Sequence, residues 1–212
     1  MAERTIKIIV LGAEYDNKYD VTRLDALFGA GNWTSHSHMD SLLKLMIKCC
    51  NPESTNHQLY SQLLNLFNLD EFKKEIEFTD PDNNLAGITN WTSKYWIFAF
   101  HMLLEQNDIT NKMNAIYFDR ATIHHYKHAK GTEEVMHAEL IMLAKLFLTD
   151  GGKFYIPRYT VWRGPKMTLE ISDIVDKSEL AKGGLKYAET VPFPKELEAE
   201  NGEYDVFTYS SN

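Results

Sequence analysis

Residues 132–162 read TEEVMHAELIMLAKLFLTDGGKFYIPRYTVW, in which a helix pattern, a helix stop and a strand pattern follow one another. The first part predicts an amphipathic helix at 132–148, because its apolar residues recur at helical spacing. That apolar stripe consists of Met136, Leu140, Leu143 and Phe147. Gly151 and Gly152 end the helix, and the aromatic and β-branched residues of 153–162 predict a strand. The stretch is therefore typical of an α/β protein.

Similar patterns on both sides of this stretch complete the fold prediction. The further predicted elements are a strand at 6–11, helices at 40–50, 56–76 and 92–106, strands at 114–118 and 122–126, and a weaker helix at 167–182. Together they predict an α/β fold with a mixed β-sheet flanked by helices and a helical N-terminal part. Its second half is expected to run helix, strand, strand, helix, strand, helix.

The clearest loop signal is the polar, proline-containing run at 79–84. We predict a subdomain boundary there, with a strand and two helices in 1–84 and an α/β domain in 85–191. The prediction leaves open that both parts form one compact unit. Residues 192–212 are acidic and rich in turn formers, so we expect an exposed, partly flexible tail.

The composition is that of an acidic, folded protein. A formal net charge of -8 at pH 7 argues against a protein that coats nucleic acid, because such binding depends on Lys and Arg at the phosphates. The sequence has no signal-peptide pattern and no run of about 20 apolar residues. Its two cysteines, Cys49 and Cys50, are adjacent and cannot link distant parts of the chain. We therefore expect a soluble, cytoplasmic protein without a membrane partner.

His137-Ala138-Glu139 lies on the helix of 132–148, the second helix of the predicted second half. In the order of elements and the position of this motif, residues 92–190 resemble the zinc-dependent cytidine deaminase superfamily, including its polynucleotide-editing and bacterial-toxin branches. In that family the His binds zinc, the Glu moves protons to and from the metal-bound water, and Pro-Cys-x-x-Cys completes the site. The resemblance implies that His137 and Glu139 are the catalytic candidates.

The chain departs from the family pattern at the second motif. Pro165 follows Glu139 after 25 residues, a spacing that the family allows, but Lys166-Met167-Thr168-Leu169 stands in place of the two cysteines. Ammonium and aliphatic side chains do not bind zinc. The resemblance therefore implies a deaminase-like protein without a metal or other cofactor, or with zinc only if the ligand set is atypical.

His137 and Glu139 also have a purely structural interpretation. Both lie beside the apolar stripe of the helix, and Glu134 and His137 are spaced to form a weak pair on its polar edge. The same two residues match half of a ferritin-like di-iron motif, whose second copy is missing from the sequence. The histidines at 124–128 span about 13 Å on a strand, so they could contribute to a metal site only together with ligands from elsewhere, such as His137.

Aromatic and basic residues alternate along the predicted strand at 153–162 and its exit. This pattern is typical of proteins that stack bases and contact phosphates of a single strand, and it also fits a strand with one buried face. The candidate binding residues are Arg158, Tyr159, Trp162, Arg163 and Lys166. Phosphate-loop, dinucleotide and nucleophile-elbow motifs are absent from the sequence.

Three functional hypotheses follow. The first is a non-catalytic or zinc-independent deaminase-like module that binds a nucleotide or single-stranded nucleic acid. The alternative is an intracellular protein-interaction or assembly component, such as a viral or phage accessory protein, with a protein partner or a second copy of itself. The last is an active metal-dependent deaminase with an atypical ligand set.

Overall fold

The structure is a computed structural model that describes residues 5–11, 17–37, 53, 56–65, 95–106, 109, 112–118, 126, 130–163, 168–193 and 202–211. Its helices are α1 (Asn17–Phe28), α2 (His57–Asn65), α3 (Trp96–Gln106), α4 (Glu133–Phe147) and α5 (Lys177–Lys182). Its strands are β1 (Ile6–Leu11), β2 (Trp33–Ser37), β3 (Met113–Phe118), β4 (Leu148–Pro157), β5 (Tyr159–Arg163), β6 (Thr168–Ser172), β7 (Leu185–Pro192) and β8 (Glu203–Tyr209). The predicted helix at 40–50 and the predicted loop at 79–84 lie outside the described residues.

Six strands form one mixed sheet in the order β2-β1-β3-β4-β8-β7, and β5 and β6 form a separate antiparallel pair. The first four strands in this order are parallel, whereas β8 runs antiparallel to both of its neighbours. Strands from 1–84 and from 85–191 therefore share one sheet. The predicted mixed sheet flanked by helices is confirmed.

Two apolar layers, one on each face of the sheet, form the core. Because side chains alternate along a strand, Ile9 and Leu11 of β1 face the layer that contains α2, α3, α4 and α5. Ile8 and Val10 face the other layer, to which α1 contributes Leu24. A parallel strand that is buried on both faces reads as a nearly continuous apolar run, and this is the pattern from which β1 was predicted.

Helix α4 has the boundaries that its sequence predicts to within a residue at each end. The side chain of Thr132 caps the helix by accepting a hydrogen bond from the backbone nitrogen of Val135. The acidic pair Glu133 and Glu134 lies in the first turn, and Lys145 lies in the last, so charges at both ends favour the helix dipole. The predicted apolar stripe is buried against the sheet and α3.

Of the predicted strand at 122–126, only Tyr126 lies among the described residues, and it is helical. Two predictions for the second half are wrong. The single strand predicted at 153–162 is divided into β4 and β5, which belong to different sheets. The helix predicted at 167–182 instead contains β6 followed by α5, because the capping side chain of Asp176 starts the helix only at that point.

The expectation of an exposed tail is also wrong for residues 203–209. These residues form β8, an interior strand that pairs with β4 on one side and β7 on the other. Tyr204, Val206 and Phe207 are completely buried. Asp205 interrupts the apolar pattern of this strand in the sequence, and it is buried as well. Its Oδ2 lies 3.1 Å from the ammonium group of Lys177.

The position of β8 predicts two different effects within one strand. We expect Phe207→Ala to lower the free energy of unfolding by about 3–5 kcal/mol, because it opens a cavity in the core. The control is Thr208→Ala, at the adjacent, half-buried position, with an expected loss below about 1 kcal/mol. Urea unfolding followed by circular dichroism measures both. Equal, small losses would contradict the buried position of β8.

Candidate functional site at the carboxyl edge of the sheet

The carboxyl ends of β1, β2 and β3 lie at one edge of the sheet, because these strands are parallel neighbours. The strand order reverses at β1, since β2 lies on one side of it and β3 on the other. The helices also change faces at this point. Helix α1 follows β1 and packs on one face of the sheet. Helices α2 and α3 precede β3 and pack on the other face. In open α/β sheets, ligands bind at such a switch point. The loops that follow these three strands lie outside the described residues.

A group of four side chains, which we call the Glu139 cluster, lies beside the carboxyl end of β3. The hydroxyl of Tyr126 donates to Oε2 of Glu139 at 2.5 Å, and Nε1 of Trp96 donates to the same oxygen at 3.2 Å. Nζ of Lys130 lies 2.9 Å from Oε2 and donates to Oε1 at 3.1 Å. The Tyr126 ring packs on Phe118, the last residue of β3, with 5.3 Å between centroids. One carboxylate therefore joins α3, α4 and the segment that follows β3.

The ion pair in this cluster is largely shielded from solvent, with 3% of the Lys130 side chain and 12% of the Glu139 side chain exposed. Burial lowers the pKa of Lys130, while the hydrogen bond and charge of Glu139 oppose that shift. Burial also raises the pKa of Tyr126 well above its usual value, and Glu139 adds to this effect. The ammonium group lies 5.2 Å from the centroid of the Tyr126 ring. The arrangement fixes the four side chains in place and leaves little of the ion pair open to a ligand.

His137 is buried on a different side of α4. Its Nε2 accepts a hydrogen bond from the backbone nitrogen of Asp176 at 2.9 Å. The side chain of Asp176 in turn accepts from the backbone nitrogens of Ser178 and Glu179 at the start of α5. His137 therefore fixes α4 to the beginning of α5.

The two catalytic candidates do not converge in this structure. His137 and Glu139 are two positions apart on α4, so their side chains leave the helix about 200° apart. Deaminase chemistry requires the zinc ligand and the proton-transferring Glu at one water molecule. Within the described ranges, no three His, Cys, Asp or Glu side chains are grouped in a way that could hold a metal ion. The histidines at 124 and 125 and at 128 lie outside those ranges.

Arg158, one of the candidate binding residues, follows β4 and is engaged in two ion pairs. Its Nη1 lies 2.7 Å from Oε2 of Glu203, and its Nε lies 2.9 Å from Oδ1 of Asp173. Burial acts to lower the pKa of Arg158, but the neighbouring carboxylates outweigh it and raise the pKa. The guanidinium group thus joins β8 to the segment before α5.

The candidate binding residues on β5 do not belong to the six-stranded sheet. Tyr159, Trp162 and Arg163 belong to β5, which pairs with β6 outside the six-stranded sheet. The structure describes only the backbone at these three positions, and Lys166 lies outside the described residues. A base-stacking surface at these residues stays a prediction from the sequence.

Sequence reasoning found Glu139 and missed its partners. Tyr126, Lys130 and Trp96 are 13, 9 and 43 residues away from Glu139 along the chain. No local spacing rule connects residues that meet only when separate segments pack. Lys130 directly precedes Gly131 and the start of α4. That position does not indicate which residue its side chain would bind.

Comparison with protein-family models, with curated proteins and with solved structures gave no match to this chain. In the part of the chain that the structure describes, no helix is both long enough and apolar enough to cross a membrane. Function is therefore argued from the geometry of the sheet and from the sequence at its carboxyl edge.

The Glu139 cluster predicts a large loss of stability when its charge is removed. We expect Glu139→Gln to lower the free energy of unfolding by about 3–5 kcal/mol, because the ammonium group of Lys130 stays buried without its counter-charge. Adding Lys130→Met should restore part of the loss, since both charges are then gone. Glu134→Gln, on the exposed side of the same helix, is the control and should change stability by less than about 0.5 kcal/mol. A loss below about 1 kcal/mol for Glu139→Gln would contradict the cluster.

The raised pKa of Tyr126 predicts a loss of stability at alkaline pH. Above about pH 10 the unfolded chain loses the phenol proton while the folded chain keeps it. This contribution to stability is therefore fully present below about pH 10 and disappears as the pH rises towards the folded-state pKa. We expect Tyr126→Phe to lose less stability than the unmodified chain between pH 9 and 11, measured by urea unfolding. Equal losses in both proteins would show that the Tyr126 hydroxyl does not titrate as described.

Proposed function

We propose that this protein binds a nucleoside-type cofactor at the carboxyl edge of the sheet, in the crevice next to β1. The observation that carries the proposal is the reversal of strand order at β1, with β2 and β3 parallel to it on opposite sides. In open α/β sheets, the loops on the two sides of such a reversal diverge, and ligands bind between them. The adjacent Glu139 cluster supports it, because it anchors the segment after β3 against α3 and α4.

The sequence directly after β1 narrows the class of cofactor. Dinucleotide cofactors need a glycine-rich turn there, where the backbone comes close to the pyrophosphate. This chain has Gly12-Ala13-Glu14-Tyr15-Asp16 at that point, with one glycine and two acidic residues. Carboxylates repel a pyrophosphate and attract a cation. A nucleoside that carries a positive group in place of phosphates fits this sequence better than a dinucleotide does.

S-adenosylmethionine is the cofactor that meets both conditions, since it has an adenosine, a sulfonium cation and no phosphate. The reaction class that we propose is accordingly methyl transfer. In such a step the lone pair of an acceptor atom forms a bond to the methyl carbon, the carbon–sulfur bond breaks, and its electron pair stays on the sulfur. The acceptor proton then leaves to solvent or to a base.

Thermal unfolding with different ligands tests this proposal. S-adenosylmethionine at about 100 times its dissociation constant should stabilise the protein by about 2.7 kcal/mol. For a chain of this size that corresponds to a rise in Tm of about 5–10 °C. NAD and ATP are the matched controls, because they share the adenosine but carry phosphates, and they should leave the Tm unchanged. A rise with NAD or ATP, or no rise with any of the three, would reject the proposal.

The deaminase-like and protein-interaction hypotheses stay predictions from the sequence. Measurements of metal content, cytidine turnover and complex formation on the same purified protein distinguish them. Stoichiometric zinc together with turnover of cytidine would support the deaminase-like hypothesis over the one proposed here. A stable complex with itself or with another protein, and no ligand response, would support an interaction component.

A further inference from the structure

A second concave site lies at the opposite edge of the sheet, where β1, β3 and β4 begin. The last turn of α1 forms one wall of this cavity, and the glycine-containing turn at 149–152, within the first half of β4, forms the other. Its volume is about 460 Å³, within the range of roughly 300–1,000 Å³ that is usual for small-molecule sites. The apolar part of the lining is formed by Ile6, Leu27, Phe28, Ala115 and the ring of Tyr155.

Two features of the sequence create this space. Ala115 is the residue of β3 that faces the cavity side, and it is in register with Ile8 of β1 and Lys153 of β4, so a small side chain lies between larger ones. The ring of Phe28, at the end of α1, packs edge-on against Tyr155 with 5.2 Å between centroids. The cavity therefore has a partly aromatic wall.

The polar rim is held in place by its own contacts. Gly151 has a φ of 76°, and a Cβ added to Gly152 would lie 2.9 Å from the carbonyl oxygen of Thr149, so this turn requires its glycines. The carboxylate of Asp150 accepts hydrogen bonds from the backbone nitrogen and the hydroxyl of Ser211 at 2.8 and 3.0 Å. One carboxylate oxygen of Asp150, Oδ1, is thus engaged by two donors.

Three other side chains of the lining have hydrogen-bond donors that no described residue accepts. Oδ1 of Asn114 accepts from the backbone nitrogen of Lys7, and among the described residues nothing accepts from its Nδ2. The hydroxyl of Tyr155 likewise has no hydrogen-bond partner there, and burial raises the pKa of Tyr155 to about 12, so the hydroxyl keeps its proton. The side chain of Lys153 is 46% exposed, and its ammonium group lies 3.5 Å from Oε1 of Glu189, its ion-pair partner among the described residues.

We propose that this cavity binds a small carboxylic acid with an apolar body. The body would pack against Phe28, Ala115 and the Tyr155 ring, and the carboxylate would accept hydrogen bonds from Asn114, Tyr155 and Lys153. Three side chains with unused donors beside an apolar floor favour a ligand whose polar end accepts hydrogen bonds. The ammonium group of Lys153 adds the charge that favours a carboxylate over a neutral amide. The site is separate from the carboxyl edge and does not depend on the cofactor proposed there.

Titration calorimetry with three matched probes tests the proposal. The probes are 1-naphthaleneacetate, its amide 1-naphthaleneacetamide and the cation 1-naphthylmethylammonium, which share one ring system. The carboxylate should bind most tightly, and the ammonium probe most weakly. Lys153→Ala should weaken binding of the carboxylate by roughly tenfold, because a charge-assisted hydrogen bond contributes about that factor. Lys182→Ala is the control, since Lys182 is also an exposed lysine paired with a glutamate.

A variant that fills the cavity provides the second test. Ala115→Leu should abolish binding of the carboxylate probe while thermal unfolding verifies that the variant is folded. If Ala115→Leu does not fold, the Lys153→Ala comparison decides alone, because that residue lies on the surface. The proposal is overturned if the ammonium probe binds as tightly as the carboxylate, if Lys153→Ala equals Lys182→Ala, or if no probe binds at millimolar concentration.

Discussion

Parallel pairing of β1 with both β2 and β3 is the constraint on which the rest of the structure depends. Parallel neighbours cannot be joined by a tight turn, so the chain must cross back over the sheet between strands. The described helices α1, α2 and α3 lie on those crossovers and divide between the two faces, so β1 is buried on both sides. The same pairing sends the loops after three strands to one edge. The core and the candidate crevice are thus two results of one pairing pattern.

Elements whose signals are local could be predicted from the sequence. β1, α3 and α4 each carry an apolar pattern of the correct period, and all three form close to the predicted boundaries. The strand β2, with the sequence WTSHS, gave no such signal; among the described strands it pairs with β1 alone, at the edge of the sheet. The strand predicted at 153–162 was too long because its composition continues past Pro157, where the pairing with β8 ends. Where a strand ends because its pairing partner ends, the composition of the strand does not indicate that boundary.

In the candidate site, too, local sequence signals could be predicted and contacts between distant segments could not. The motif around His137 and Glu139 drew attention to α4, and both side chains have specific roles there. Those roles depend on residues from other segments: Asp176 for His137, and Tyr126, Lys130 and Trp96 for Glu139. A buried ion pair gives up hydration of both charges, and that cost is offset only when the geometry supplies further donors. The two additional donors at Glu139 meet this requirement, and they bring α3 and the segment after β3 to one point.

The interior position of β8 has a consequence for the order in which the protein is made on the ribosome. Both neighbours of β8, the strands β4 and β7, are synthesised before it, and neither is next to the other in the sheet. At typical rates of translation, β4 therefore waits for its antiparallel partner for a time on the order of several seconds. During that interval the edge of β4 that pairs with β8 lacks its partner. The sheet closes only after Tyr209 has left the exit tunnel, so a chaperone that shields β4 would act within that interval.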